Sequence, residues 1–386
     1  MQTKLIVLQP TPLCNLNCSY CYLPNRRDPS KMEESLLERV FSLALSSSLV
    51  QGEIEFLWHA GEPLTVGVSY FDRAMDLISR TNVRNLRVLN TIQTNAILIN
   101  DQWAHFLARN GFAVGVSLDG PGWIHDAKRR RWSGEGTHGQ AMRGVETLRR
   151  HGIFPGVICV LTRDSLAHPE EIFNFFLDNE FEAVGFNVEE VENAHTVSSL
   201  QHERAVREYR NFFGRLFDLW WPHRAVMKIR EFDDFGQVFL NYLKDPSYVR
   251  PVLETEPLGI MTVQQNGDIS TFSPEFAGME VAEFGSFVIG NAWSLSSLEE
   301  LASVAPLKEI LREVQASVDL CHSTCEYFSV CGGEFLSNKF SEHGTLRATE
   351  TSSCLLHRKV LASLLIEKLG SRPWPFESER NSHVDA

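Results

Sequence analysis

Six short apolar runs, separated by amphipathic stretches, set the tightest limit on how this chain can fold. They are Leu5–Leu8, Ile54–Trp58, Val88–Ile92, Ala113–Leu118, Val157–Leu161 and Val184–Val188. Each is brief and rich in β-branched or aromatic residues, as a buried strand is. Helical patterns lie between them. Glu33–Leu45 places Leu36, Leu37, Val40, Phe41 and Ala44 on one face; Asp101–Arg109 carries Trp103, Phe106 and Leu107; Pro169–Leu177 carries Ile172, Phe173 and Phe176. The alternation predicts an α/β fold, a curved parallel sheet of six βα units that does not quite close: a partial (β/α)6 barrel.

In such barrels chemistry gathers at the C-terminal ends of the strands. Polar and glycine residues collect at those ends here. Cys14, Cys18 and Cys21 follow run one, Ala60-Gly61-Glu62-Pro63 run two, and Gln93-Thr94-Asn95 run three. Ser117-Leu118-Asp119-Gly120-Pro121 ends run four, and Asn187, Glu189 and Glu190 end run six. The three cysteines have C-x3-C-x2-C spacing. Three thiolates can hold three irons of a [4Fe–4S] cube and leave the fourth open to a substrate or cofactor. Three thiols in one loop cannot pair off as disulfides, and tetrahedral zinc would need a fourth ligand that is not adjacent.

A second set, Cys321, Cys325, Cys331 and Cys354, has the spacing C-x3-C-x5-C-x22-C. Four thiolates suit either a fully ligated [4Fe–4S] cube or structural zinc, and spacing does not choose between them. The eighth cysteine, Cys159, sits inside an apolar run and reads as a buried small hydrophobe. Thiols in metal-type clusters, with no signal peptide ahead of them, fit a reducing cytoplasm. The net charge of −13 argues against general binding to nucleic acid or anionic membranes. The one basic run, Lys128–Arg131, reads as a solvated loop, the other option being a grip on a carboxylate.

The 386 residues allow two domains and a bridge. We expect the barrel over 1–225, a bridging helical segment over 226–256, a second domain over 257–370 and a loosely ordered tail over 371–386. Ser198 to Lys244 reads as helical, with Tyr209, Phe212, Phe213, Leu216, Phe217 and Trp220 as a buried face. Ile260–Val263 and Ile269–Phe272 read as a hairpin turning at Asn266-Gly267.

The cysteine loop, with Tyr20 before its last thiol, resembles that of the radical S-adenosylmethionine (SAM) superfamily. Gly61-Glu62 resembles its glycine-rich motif, which holds the methionine amino group; Ser117 and Asp119 fall where the family contacts ribose or methionine, with Gln93 and Asn95 beside them. The C-terminal part resembles a SPASM domain, whose second auxiliary [4Fe–4S] cluster the four later cysteines fit with one extra residue in the first gap. Where that domain's first auxiliary cluster needs cysteines, this chain has Phe272 and Phe335, so one auxiliary cluster is expected.

Phrases such as Trp58-His-Ala-Gly-Glu-Pro63, Phe186-Asn-Val-Glu-Glu190, Arg230-Glu-Phe232 and Thr271-Phe-Ser-Pro-Glu275 resemble the cyclophane-forming, Grr-type peptide maturases. That resemblance implies cleavage of S-adenosylmethionine to a 5′-deoxyadenosyl radical and abstraction of a side-chain β-hydrogen from a ribosomally made precursor peptide. A bond then joins the β-carbon to an aromatic ring. Glu275 is the candidate base for the ring proton, and the partners implied are the precursor peptide and a reductant such as flavodoxin or ferredoxin. Such maturases often carry a leader-binding module, for which no room is expected before the first strand. The rivals are a sulfatase-type formylglycine maturase, a thioether-forming enzyme and, from another class, a non-catalytic zinc–cysteine protein.

Overall fold

A computed structural model describes residues 1–281 and 285–370; the expected loose tail lies outside the described residues. All six expected strands form: β1 (Leu5–Leu8), β2 (Glu53–Trp58), β3 (Arg87–Thr94), β4 (Ala113–Ser117), β5 (Gly156–Leu161) and β6 (Ala183–Val188). They pair in chain order and in parallel, with Leu5 opposite Glu55 and Val157 opposite Val184. The helices between them are α1 (Glu34–Ser46), α2 (Val68–Thr81), α3 (Asp101–Arg109), α4 (Gly122–Lys128), α5 (His138–Arg150) and α6 (Pro169–Asp178). Nothing pairs the two ends of the sheet, so the parallel array stays open, as a partial barrel does.

The stretch expected to be helical from Ser198 to Lys244 is interrupted. Helix α7 (Ala205–Trp220) and helix α8 (Arg230–Lys244) are split by a two-residue strand, β7 (Lys228–Ile229), which pairs in parallel with β6. The hairpin forms as β8 (Ile260–Val263) and β9 (Asp268–Thr271), with Gly267 at φ +91° in its turn. It does more than begin a new segment of chain. β8 lies parallel against β1, Leu5 opposite Ile260 and Leu8 opposite Val263, so one ten-stranded sheet runs from the strand Val288–Asn291 through β9, β8 and β1 to β7. The C-terminal cysteines therefore hang from the edge of the sheet that carries the first cysteine loop on its central strand. Beyond the hairpin, α9 (Ala305–Thr324) runs into Cys325, and a π-helical turn over Cys354–Val360 leads into the helix Leu361–Gly370. Among the described residues no helix is long and apolar enough to cross a membrane.

Aromatic rings fill the layer between sheet and helices. Phe71 on α2 is a hub, with ring centroids 4.6 Å from Trp58, 5.4 Å from Trp103 and 6.0 Å from Phe106. Phe186 on β6 makes edge contacts with Phe176, Phe212 and Phe213, which seats α6 and α7 on the sheet. Cys159 is buried within β5, as its apolar run predicts. Because Phe71 is fully buried among five aromatic neighbours, Phe71→Ala is expected to lower unfolding free energy by about 3–5 kcal/mol, read from the midpoint of denaturant unfolding at unchanged slope.

Candidate active site

The loop after β1 carries three half-buried free thiols, Cys14, Cys18 and Cys21. It is held in place from outside, by the segment that follows α4. Asn17 N donates to Arg130 O at 2.7 Å and Ser19 N to Lys128 O at 3.0 Å, and Leu16 bridges Arg131. Trp132 Nε1 reaches Cys14 O at 2.9 Å, while Arg26 and Arg27 stack on the Trp132 ring. The run Lys128–Arg131 is thus not a solvated loop. It is an edge against which the cysteine loop is folded, and its second residue is buried. Arg129 Nε lies 3.0 Å from Asp119 Oδ2 and its guanidinium sits 5.3 Å from the Tyr20 ring centre. Tyr20 Oη donates to the same carboxylate oxygen, and Val160 N donates to the other at 3.0 Å. Burial opposes the guanidinium charge, but Asp119, Tyr20 and Cys18 hold its pKa above the ordinary value.

The candidate cofactor contacts gather at this rim. Gly61 has φ +61°, and a Cβ there would lie 2.5 Å from Thr11 O and 2.7 Å from Leu13 O, so only glycine lets this turn lie against the cysteine loop. Glu62 is buried, and its carboxylate is turned into the fold: Thr94 Oγ1 donates at 2.7 Å, Asn95 N at 2.8 Å and Leu64 N at 3.2 Å. Burial pushes its pKa up to about 7 despite those bonds. Gln93 Nε2 donates to Ser117 Oγ at 2.9 Å, and Asn95 Nδ2 to Asn15 Oδ1 at 2.7 Å. Both carboxylates, Asp119 and Glu62, accept hydrogen bonds from within the chain and so also position their neighbours on the rim.

The thiols and rim fit an iron–sulfur cluster with an organic cofactor above it. Leu16 N points at Cys14 Sγ at 3.4 Å. Burial, then Glu62, pushes the Cys14 thiol well up, and burial pushes Cys18 up to about 11, with Arg129 opposing; a bound metal reverses this by deprotonating its thiol ligands outright. Beside the loop, Gln9 Nε2 and Asn15 Nδ2 are buried donors without a partner. A buried orphan donor costs about 1–3 kcal/mol unless a ligand accepts from it. Gln9 lies in the phrase Leu8-Gln-Pro-Thr-Pro12 directly after β1, and Asn15 lies within the cysteine loop; the residue pattern assigns neither a role.

In the C-terminal set, Cys331 and Cys354 lie close enough to act on one another, Cys331 being pushed up and Cys354 down, and Cys325 acts on Cys354 electrostatically. Cys321 ends its helix facing Lys339, whose Nζ is 3.2 Å from Cys321 Sγ, 3.0 Å from Ser317 Oγ and 3.3 Å from Gly333 O. Lys339 is buried. A buried ammonium needs an anion, and of these three partners only the cysteine can supply one. Among the described residues no three His, Cys, Asp or Glu side chains are preformed around a single metal ion.

Between the barrel end and the C-terminal part lies a cavity of about 310 Å³. Asn187 lines it from the end of β6, Glu190 and Glu192 from just beyond that strand, Arg230 and Glu231 from the start of α8, and Ser273 and Glu275 from beyond β9. Glu254, Glu334 and Arg358 complete its charged wall. Ser273 Oγ donates to Glu275 Oε2 at 2.5 Å, and burial raises the Glu275 pKa, with the Ser273 bond opposing. Burial, then Glu275, Cys21 and Glu192, raises the pKa of the Tyr22 hydroxyl, which lies 3.3 Å from His59 Nε2. His357 ties the two parts together: Val188 N donates to its Nε2 at 3.1 Å, and Tyr209 Oη lies 2.9 Å from its Nδ1. Glu189, next to Glu190, is elsewhere, accepting from Ser199 N at 2.9 Å. Sequence reasoning reached Asn187, Glu190, Arg230 and Glu275 through their phrases but had no signal for Glu192, Glu254 or Glu334.

An open parallel barrel with three thiols at the mouth defines the class of site in which an iron–sulfur cluster activates a bound cofactor. A family model for the radical SAM superfamily matches residues 8–176. An uncharacterized protein of Synechocystis sp., sll1766, is 35% identical over 371 residues, which span 95% of this chain and 92% of the relative. The cysteine-type anaerobic sulfatase-maturating enzyme of Clostridium perfringens is 29% identical over 253 residues, spanning 61% of this chain and 66% of that enzyme. The solved structure of native anSMEcpe with bound AdoMet and Kp18Cys peptide superposes with a TM-score of 0.79 at 23% identity, covering 95% of this chain and 98% of that one, a likeness of fold. The chain belongs to the radical SAM superfamily and is related to members that act on peptides and proteins. With membership come the cofactors expected from the cysteine motif, S-adenosylmethionine and iron–sulfur clusters.

Two predictions follow from these electrostatics. Arg129→Met strands the buried Asp119 charge and is expected to cost about 3–5 kcal/mol; Asp119→Leu combined with Arg129→Met is expected to recover much of that in thermal melts. The second concerns pH. Burial, together with neighbouring carboxylates, pushes Glu254 up to about 8. Its folded pKa thus exceeds its unfolded one, so the folded state binds the extra proton. Its contribution to stability is complete at low pH and is lost as pH rises through about 8. Thermal melts are expected to show wild type losing more stability from about pH 5 to about pH 8 than Glu254→Gln loses.

Proposed function

We propose that this enzyme joins an aromatic ring carbon to a side-chain β-carbon within a ribosomally made precursor peptide, a cyclophane crosslink. The observation that carries this reading is the carboxylate-lined cavity with Glu275 on its wall, whose residues act electrostatically toward both thiol sets: Glu275 and Cys21 both bear on Tyr22, and Glu334 and Arg358 both bear on Cys331. Cys14, Cys18 and Cys21 would hold the cofactor-binding cluster, and Cys321, Cys325, Cys331 and Cys354 one auxiliary cluster; Tyr20, Gly61, Glu62, Gln93, Asn95, Ser117 and Asp119 would shape the S-adenosylmethionine pocket. Bound there, these groups supply a hydrogen-abstracting 5′-deoxyadenosyl radical and an acceptor for one electron.

The chain's own residues do the rest. Crosslinking removes one hydrogen from the β-carbon and one proton and one electron from the ring. Glu275 takes that proton. Its raised pKa makes it a stronger base than an exposed carboxylate, and Ser273 orients it.

A second reading, oxidation of a cysteine or serine to formylglycine, is favoured by the likeness to the Clostridium perfringens enzyme. Phe272 and Phe335 stand where the first auxiliary cluster's thiols are expected, and Ser273 where an acidic residue is; both weigh against it. The two readings separate on one assay. Anaerobic incubation with a candidate aromatic-rich precursor peptide is expected to remove two hydrogens and leave a product that resists fragmentation across the ring and shows no aldehyde toward a hydrazine. A hydrazine-reactive product supports formylglycine instead. Glu275→Gln is expected to lower product yield by about 10²-fold or more, and an unchanged yield removes Glu275 as the base.

A further inference from the structure

Four carboxylates converge on the cavity, and among the described residues none of them makes an ion pair. Glu190 accepts from Ser353 Oγ at 2.7 Å and Glu192 from Ser337 Oγ at 2.6 Å, while Glu275 is held by Ser273. Burial, then Glu334, Glu275 and Glu190, disfavours the charge of Glu254, with Arg358 opposing. The arginines on the wall are committed elsewhere. Arg230 pairs with Glu231, its Nε 2.9 Å from Oε1, and Arg250 with Glu334 at 2.7 Å; Arg358 also pairs with Glu334. Like charges crowded in one enclosed space repel, and each loses solvation as well.

Two further atoms on the same wall lack partners. Glu231 is 5% exposed and its Oε2 accepts nothing, although Oε1 takes bonds from Phe186 N and Arg230. Asn338 is 2% exposed and its Nδ2 donates to nothing. Both residues line the cavity. The orphan acceptor asks for a donor, and the orphan donor asks for an acceptor. A ligand that satisfies both carries a multi-donor cation and, a few bonds away, a neutral oxygen. A lysine or arginine residue within a peptide has this combination in its side chain and its backbone carbonyl.

We propose that the cavity is a specificity pocket for a cationic side chain, lysine or arginine, in the substrate peptide beside the residue that reacts. Glu190, Glu192, Glu254 and the free oxygen of Glu231 receive the cation, and Asn338 donates to a peptide carbonyl. Glu275 stays on the side facing Tyr22 and the cysteine loop, where the proton leaves. The volume, about 310 Å³, suits one long side chain and its adjoining backbone. This inference rests on the enzyme acting on a peptide but not on which bond it forms.

Binding, not turnover, tests it. Fluorescence anisotropy on the anaerobically reconstituted holoenzyme would compare three labelled peptides, Gly-Ser-Phe-Gly-X-Gly-Ser with X as lysine, norleucine or glutamate. The lysine peptide is expected to bind at least about tenfold more tightly than the norleucine peptide, a preference charge-assisted hydrogen bonds can supply, and the glutamate peptide is expected to bind most weakly. Glu192→Gln and Glu254→Gln, each with wild-type iron content and folded at the assay pH, are expected to reduce the lysine preference. Equal affinity for lysine and norleucine, no saturable binding of the lysine peptide, or a preference untouched by both variants overturns the proposal. A lysine preference without crosslinked product would sink the cyclophane reading and leave this pocket standing.

Discussion

The arrangement at the barrel mouth depends on the buried ion pair between Arg129 and Asp119. Asp119 ends β4, and Arg129 lies just beyond α4, so the pair ties the segment after α4 back onto the sheet. That segment then offers its backbone to the cysteine loop, through the bonds to Asn17 and Ser19. An ion pair at 8% and 1% side-chain exposure carries a large desolvation cost, offset only because Tyr20 and Val160 N also satisfy the carboxylate. Its role is one of register: it sets where three thiols stand relative to Gly61 and to the strand ends. Tyr20, the residue before the last thiol, closes the circuit between loop and pair.

The second constraint is the continuity of the sheet. With β8 paired to β1, the C-terminal part is anchored to the strand that presents the cysteine loop. His357 fastens the other side, bonding β6 backbone and Tyr209 of α7. The cavity is enclosed by these two attachments, and its walls come from the barrel, the bridging helix and the C-terminal part together. A substrate held there would lie between the two thiol sets, which suits a reaction that begins with a radical and ends with the loss of an electron.

Much of this was legible in the sequence where the signal is local. Six apolar runs became six parallel strands, and the Asn266-Gly267 turn became a hairpin. The thiols stand out because cysteines at those spacings have few other uses. What failed depends on partners far away in the chain. Lys228–Ile229 is too short to announce itself and exists as a strand because the edge of β6 is free to pair. A run of four basic residues reads as a wet surface, and only the approach of Asp119 turns Arg129 inward. Glu192, Glu254 and Glu334 come from separate segments, so their convergence has no motif. Glu62 was found by its motif, but the direction of its carboxylate, toward Thr94 and Asn95, is set by tertiary packing.

The account stands or falls on whether the N-terminal thiols hold a cluster that opens S-adenosylmethionine. The direct measurement is 5′-deoxyadenosine formed by anaerobically reconstituted, dithionite-reduced protein, with iron and sulfide counted on the same sample. Wild type is expected to release 5′-deoxyadenosine, whereas the variant with Cys14, Cys18 and Cys21 all changed to alanine is expected to release none while keeping the iron bound by the C-terminal thiols. Release undiminished in that variant, or none from fully loaded wild type, would contradict it.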